Sequence, residues 1–193
     1  MLIYASRLLG TPLLSMQAAG EIGYLSGLIV DPDALKIIAF YVTGALASRS
    51  MNILDVRSIR EYSNLGAVID SVDELVEKDD VMRISQVIGL NFTLPGLKVE
   101  TKKGTKLGRV IDFTVTDDNF TVKQLIVKRP LVKSFLDPEL TIPRTEIVEI
   151  TDYKVIVKDE EKTIRARAEK EDFVPNFVNP FRTTKPANAK TQD

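Results

Sequence analysis

The chain has 193 residues, 44% of them hydrophobic and 27% charged, which is the composition of a globular protein able to bury a core. Its net charge of −1 sets no overall pull toward nucleic acid or anionic membrane. There is no Cys, His or Trp, which excludes disulfides, thiolate and imidazole metal sites, His-dependent triads and cysteine nucleophiles.

The first residues, Met1 to Arg7, place no basic region ahead of an apolar stretch and do not read as a signal peptide. No apolar run approaches the ~20 residues that span a bilayer. The expectation is a soluble cytoplasmic protein without an integral membrane segment.

From residue 5 onward the sequence repeats itself. Residues 13–31 align without a gap on 94–112 at an offset of 81, so that Gly23, Gly27 and Asp31 match Gly104, Gly108 and Asp112. Upstream, residues 5–10 match 84–89. Downstream, the apolar run Ile37 to Val42 faces Val122 to Val127, Leu54 and Ile59 face Ile142 and Ile147, and Ala67 to Asp70 face Val155 to Lys158. Insertions fall only in turns, and the expectation is an internal duplication.

Each copy reads as short Val- and Ile-rich runs bounded by Gly, Pro, Asp or Asn, the pattern of strands. Gly23 and Gly104 sit where hairpins need positive φ. Gly27 and Gly108 fall inside the next strand, where a missing side chain permits a bulge. Asp31, before Pro32-Asp33, is placed to accept backbone hydrogen bonds in a turn. Small antiparallel sheets coil and close to remove their edges, so a small barrel is expected.

The pattern Leu107-Gly108-Arg109-Val110-Ile111-Asp112, then Leu125-Ile126-Val127, then Ile142-Pro143-Arg144-Thr145-Glu146-Ile147 resembles the PRC-barrel. That barrel occurs in the photosynthetic reaction-centre H subunit and in the ribosome maturation factor that binds a small-subunit protein. The resemblance covers about residues 3–70 and 82–158; the first copy departs at Asp55-Val56, where Pro143 has no equivalent. It implies a mainly β fold of two consecutive small antiparallel PRC-type barrels, with a short helical linker and a flexible C-terminal tail. The expected division is a first barrel at 1–70, an acidic linker at 71–81, a second barrel at 82–161 and a charged, then disordered, segment at 162–193. It also implies an adaptor or assembly module with no shared catalytic residues.

In the linker, Leu75 and Val76 stand among five acids and are expected to pack between the copies. In the tail, Phe173, Val174, Pro175, Phe177, Phe181 and Arg182 form an aromatic, Pro-stiffened stretch. Such a stretch suits docking on a partner, or latching onto the protein itself.

Paired carboxylates are Asp31 with Asp33, Asp79 with Asp80 and Asp117 with Asp118, all in turn-like settings where solvated acids are ordinary. No catalytic residue, cofactor or metal site is expected. Between Lys98 and Lys133 nine bases face four acids, while residues 1–85 are acidic. Lys98, Lys102, Lys103, Lys106 and Arg109 are the candidate contacts for an acidic partner or for RNA phosphate. The function expected is a non-enzymatic protein-binding adaptor of unknown partner. An RNA- or ribosome-associated accessory factor and a homo-oligomeric structural protein, such as a homodimer, are the alternatives.

Overall fold

Strongly apolar, β-branched stretches become the long strands of the molecule. The computed structural model describes residues 1–44, 52–63, 65–130 and 138–159. Its elements are β1 (Leu2–Tyr4), α1 (Ala5–Leu8), β2 (Pro12–Ser15), β3 (Gly20–Asp31), β4 (Lys36–Thr43), β5 (Ile53–Asp55), β6 (Glu61–Ser63), β7 (Gly66–Ile69) and β8 (Leu75–Val76). After these come α2 (Met82–Gly89), β9 (Lys98–Thr101), β10 (Lys106–Thr116), β11 (Val122–Lys128), β12 (Glu139–Pro143), β13 (Ile147–Ile150) and β14 (Lys154–Val157). The fold is mainly β, with a sheet curled into a half-barrel.

Two sheets account for all the strands. One runs β6-β7-β2-β3-β4-β5-β8; the other runs β13-β14-β9-β10-β11-β12, with β1 added alongside β10. The pairings are antiparallel except for one parallel pair in each sheet, β2 with β7 and β9 with β14, where an all-antiparallel sheet was expected.

The two sheets share their irregularities as well as their order. Register shifts fall between Leu13 and Leu14, Leu25 and Gly27, and Ile29 and Val30 in the first half. In the second they fall between Lys106 and Gly108, Val110 and Asp112, and Thr114 and Val115. Superposing these pairings puts Gly23 on Gly108, Tyr24 on Arg109 and Leu25 on Val110, an offset of 85. The glycine match at offset 81 is therefore four residues out of register in three dimensions. Gly23 is accordingly inside β3 and does not take positive φ, whereas Gly104 does, at 80°. The downstream blocks agree with the structure: Leu54 faces Phe40 as Ile142 faces Leu125.

The halves meet at the tips of their long hairpins. The Ile37 N–H donates to the Phe120 carbonyl (3.1 Å) and the Val122 N–H donates to the Leu35 carbonyl (2.9 Å). Under the offset of 85 these two bonds are images of each other, and Lys36 bridges its own counterpart, Thr121. Leu35 and Phe120 both take positive φ, 47° and 52°, and both are buried. Phe120 reaches the first half, edge-on to Phe40 (centroids 5.4 Å) and Tyr62 (5.7 Å). Apolar residues of both halves form one continuous core, and the chain from Met1 to Asp159 makes one compact unit.

The lead-in to each half covers the long strand of the other. Leu2, Ile3 and Tyr4 pair with Thr116, Val115 and Thr114 of β10, and the Ser6 hydroxyl donates to Asp112 (2.6 Å). Helix α2 lies on β3 and β4, its Ile84 buried against Ile29, Ile38, Ala39 and Ile53. This explains why β4 is apolar almost without alternation: Ile37, Phe40 and Val42 enter the main core, while Ile38 and Ala39 meet the helix. The linker residue Leu75 is buried in the main core, where β8 caps the edge of β5.

Asp55 occupies the register position of Pro143, each opening a 3₁₀ turn with φ near that of proline, −65° and −62°. Proline holds that angle covalently. Asp55 holds the turn by accepting the Arg57 N–H (2.8 Å) while gripping the Arg57 guanidinium (2.6 Å). Burial pushes the Asp55 carboxyl up, but the hydrogen bonds and charge of Arg57 outweigh it and keep the group below the ordinary carboxylate range.

Two predictions follow from these contacts. Phe120→Ala removes the ring that joins the halves and lowers stability by about 3–5 kcal/mol, with urea unfolding still a single transition; two separate transitions would mean two independent cores. Asp55→Ala costs about 1 kcal/mol as a lost cap. Because the folded-state pKa is depressed, that contribution is present in full above the unfolded carboxylate pKa and is lost as pH falls through the folded value. Unfolding curves of both proteins should therefore converge in acid, and a pH-independent gap would contradict the assignment.

Candidate functional site

In an antiparallel pair, residues directly opposite present their side chains on the same face, so the register decides which cations become neighbours. Arg109 of β10 lies opposite Lys98 of β9 on one side and opposite Lys128 of β11 on the other. All three are exposed, and they form one row of like charge across three adjacent strands. Each directly opposed pair of like charges destabilises a sheet by roughly 0.2–1 kcal/mol. A fold keeps such a row against its own stability.

The row borders a groove of about 690 Å³, also lined by Lys106, Arg129, Gly96, Gly108, Ile111 and Pro130. Among its described lining residues Glu100 is the one acid, and Lys154 is already paired with it at 3.4 Å. Arg109 donates to the Gly96 carbonyl (3.1 Å), which fixes its side chain. None of the five lining cations makes an ion pair among the described residues.

Gly108 opens the groove for a steric reason. Its φ is +147°, and a Cβ there would run into the Lys128 carbonyl and lie 3.0 Å from Val127. The absent side chain lets β10 press against β11 while the strand bulges further on, at Ile111.

The first half supplies an internal comparison. Matched by pairing, Lys98, Lys106, Arg109, Lys128 and Arg129 stand where the first half has Pro12, Glu21, Tyr24, Thr43 and Gly44. None of those five is a cation. The basic groove is therefore a property of one half and not of the architecture.

Of the five cations singled out from the sequence, Lys98, Lys106 and Arg109 come together here, whereas Lys102 and Lys103 sit on the β9–β10 turn, outside the groove lining. Lys128 and Arg129 were counted in the basic stretch but not singled out. Only the register reveals them, since they lie far from Lys98 in sequence. Phe173, Val174, Pro175, Phe177, Phe181 and Arg182 lie outside the described residues.

The remaining polar candidates are occupied structurally. Arg144 donates to the carbonyls of Ala34 (2.8 Å) and Leu35 (3.1 Å), tying the second half to the first half's hairpin. Asp31 accepts the N–H groups of Asp33 and Ala34, as its turn position suggested, and an Arg83 guanidinium (3.3 Å). A hydrogen bond from Thr116 holds Asp118 below the ordinary carboxylate range, the opposite of what a general acid near neutral pH needs. Among the described residues no group of three acids is placed to hold a metal ion, and no helix is long and apolar enough to cross a membrane.

Lys128→Thr places the first half's residue in the row and removes one repulsion. It should raise stability by about 0.5 kcal/mol at low salt, with the gain shrinking as salt screens the row. Thermal unfolding at two ionic strengths measures this; a variant less stable than the parent at low salt would mean that Lys128 makes a stabilising contact of its own. No protein-family model matches the chain, and no curated protein matches its sequence.

Proposed function

We propose that this protein is a non-enzymatic adaptor, working in the cytoplasm, built from two PRC-type barrel halves derived by duplication. It holds an acidic segment of a partner protein in the basic groove of its second half. The shared strand order, the matched bulges and the reciprocal hairpin bonds support the duplication. The observation that carries the function is the row Lys98–Arg109–Lys128, which has no ion-pair partner among the described residues and stands where the other half has Pro12, Tyr24 and Thr43.

Favouring a protein partner over RNA, no aromatic side chain lines the groove among the described residues, whereas single-stranded nucleic acid is held by stacking on aromatic platforms as well as by charge. A groove on one rigid sheet also suits an adaptor, because its cations are positioned before binding.

The test is fluorescence anisotropy of a labelled Asp/Glu-rich peptide, with single-stranded RNA as competitor, against the full chain and a Lys98→Glu/Arg109→Glu/Lys128→Glu variant. Exposed ion pairs contribute up to about 1 kcal/mol each, so the variant should bind the peptide roughly a hundredfold more weakly. Unchanged affinity would remove the groove from the account, and tighter binding of RNA than of peptide would replace the protein partner with nucleic acid.

A further inference from the structure

Cations alone attract any polyanion; discrimination needs a second feature, and the groove has one. We propose that it is shaped for a mixed acidic and aliphatic segment, with one aliphatic side chain of the partner seated on Ile111 beside the row of cations. This rests on the reading of the groove as an acidic-peptide site and specifies its partner.

Ile111 is the bulged residue of β10: Val110 faces Val127 and Asp112 faces Ile126, leaving Ile111 between them without a partner. Bulges re-aim a side chain, and here the outward positions on either side of the buried Val110 are Arg109 and Ile111. Ile111 is 42% exposed. A lone exposed isoleucine carries little meaning on an ordinary surface. This one lies in the lining of a cationic groove, with Pro130 as a second exposed apolar group. The matched bulge residue of the first half, where the cations are absent, is Ser26. Charge and apolar seat are thus present together in one half and absent together in the other.

The chemistry follows from that pairing. Carboxylates of an extended segment meet Lys98, Arg109 and Lys128, which lie in a row across the strands. An aliphatic side chain between the acids covers Ile111, and the water it displaces strengthens the neighbouring ion pairs. A polyanion lacking that side chain leaves Ile111 wet and binds by charge alone, which is how the site would reject unselective partners.

The experiment compares two peptides, an Asp/Glu-rich sequence with one central Leu and the same sequence with Leu→Ala. Both are titrated onto the full chain and onto Ile111→Ser, which carries the first half's residue at an exposed position and leaves the core untouched. The Leu peptide should bind the parent about tenfold more tightly than the Ala peptide, from the apolar area covered. On Ile111→Ser the two should bind alike. Equal binding of both peptides to the parent overturns the aliphatic seat while leaving the acidic-peptide groove standing. An advantage of the Leu peptide that survives Ile111→Ser places the seat elsewhere and overturns the assignment to Ile111. Failure of both peptides to bind overturns the groove reading itself.

Discussion

The exchange at the hairpin tips is the constraint on which the rest of the structure depends. Leu35 and Phe120 sit in left-handed conformations that a bulky side chain adopts only when its surroundings over-determine it. Burial supplies that determination: Phe120 is held edge-on between Phe40 and Tyr62, and the adjoining N–H and C=O groups bond across the junction instead of being left unpaired. With the two tips locked, the sheets share one core. The short β1 and α2 segments then extend that union by covering the partner half's long strand.

Within this union the two halves differ on their outer faces. The first keeps Pro12, Tyr24 and Thr43 where the second has a row of cations, and that row works against the stability of its own sheet. The shared core tolerates such a local penalty because it does not depend on the outer face of β9, β10 and β11. Stability and surface charge are thereby separated: the inner faces hold the molecule together, and the outer face of β9, β10 and β11 carries the row of cations.

Much of this was legible in the sequence, and the exceptions have physical causes. The apolar runs at Ile37–Val42 and Val122–Val127 mark corresponding strands because their burial pattern is dictated by the core. The glycine match failed because identity drew together residues with different tasks. Gly27 and Gly108 lie four register places apart, and the structural counterpart of Gly108 is Gly23, whose added Cβ would collide with the Thr43 carbonyl. Pairing across strands, which no one-dimensional pattern records, decided the register. The same holds for the site. A basic stretch was visible, but Lys102 and Lys103 point to a turn while Lys128 and Arg129 complete the groove. Comparing the two halves at an offset of 85 would have exposed both the row and Ile111.

The most direct test is amide NMR of the full chain during titration with poly-glutamate. The account predicts shifts at Lys98, Arg109 and Lys128, with Tyr24, Ser26 and Thr43 unmoved. Equal shifts in both halves, or none at the row of cations, would contradict it.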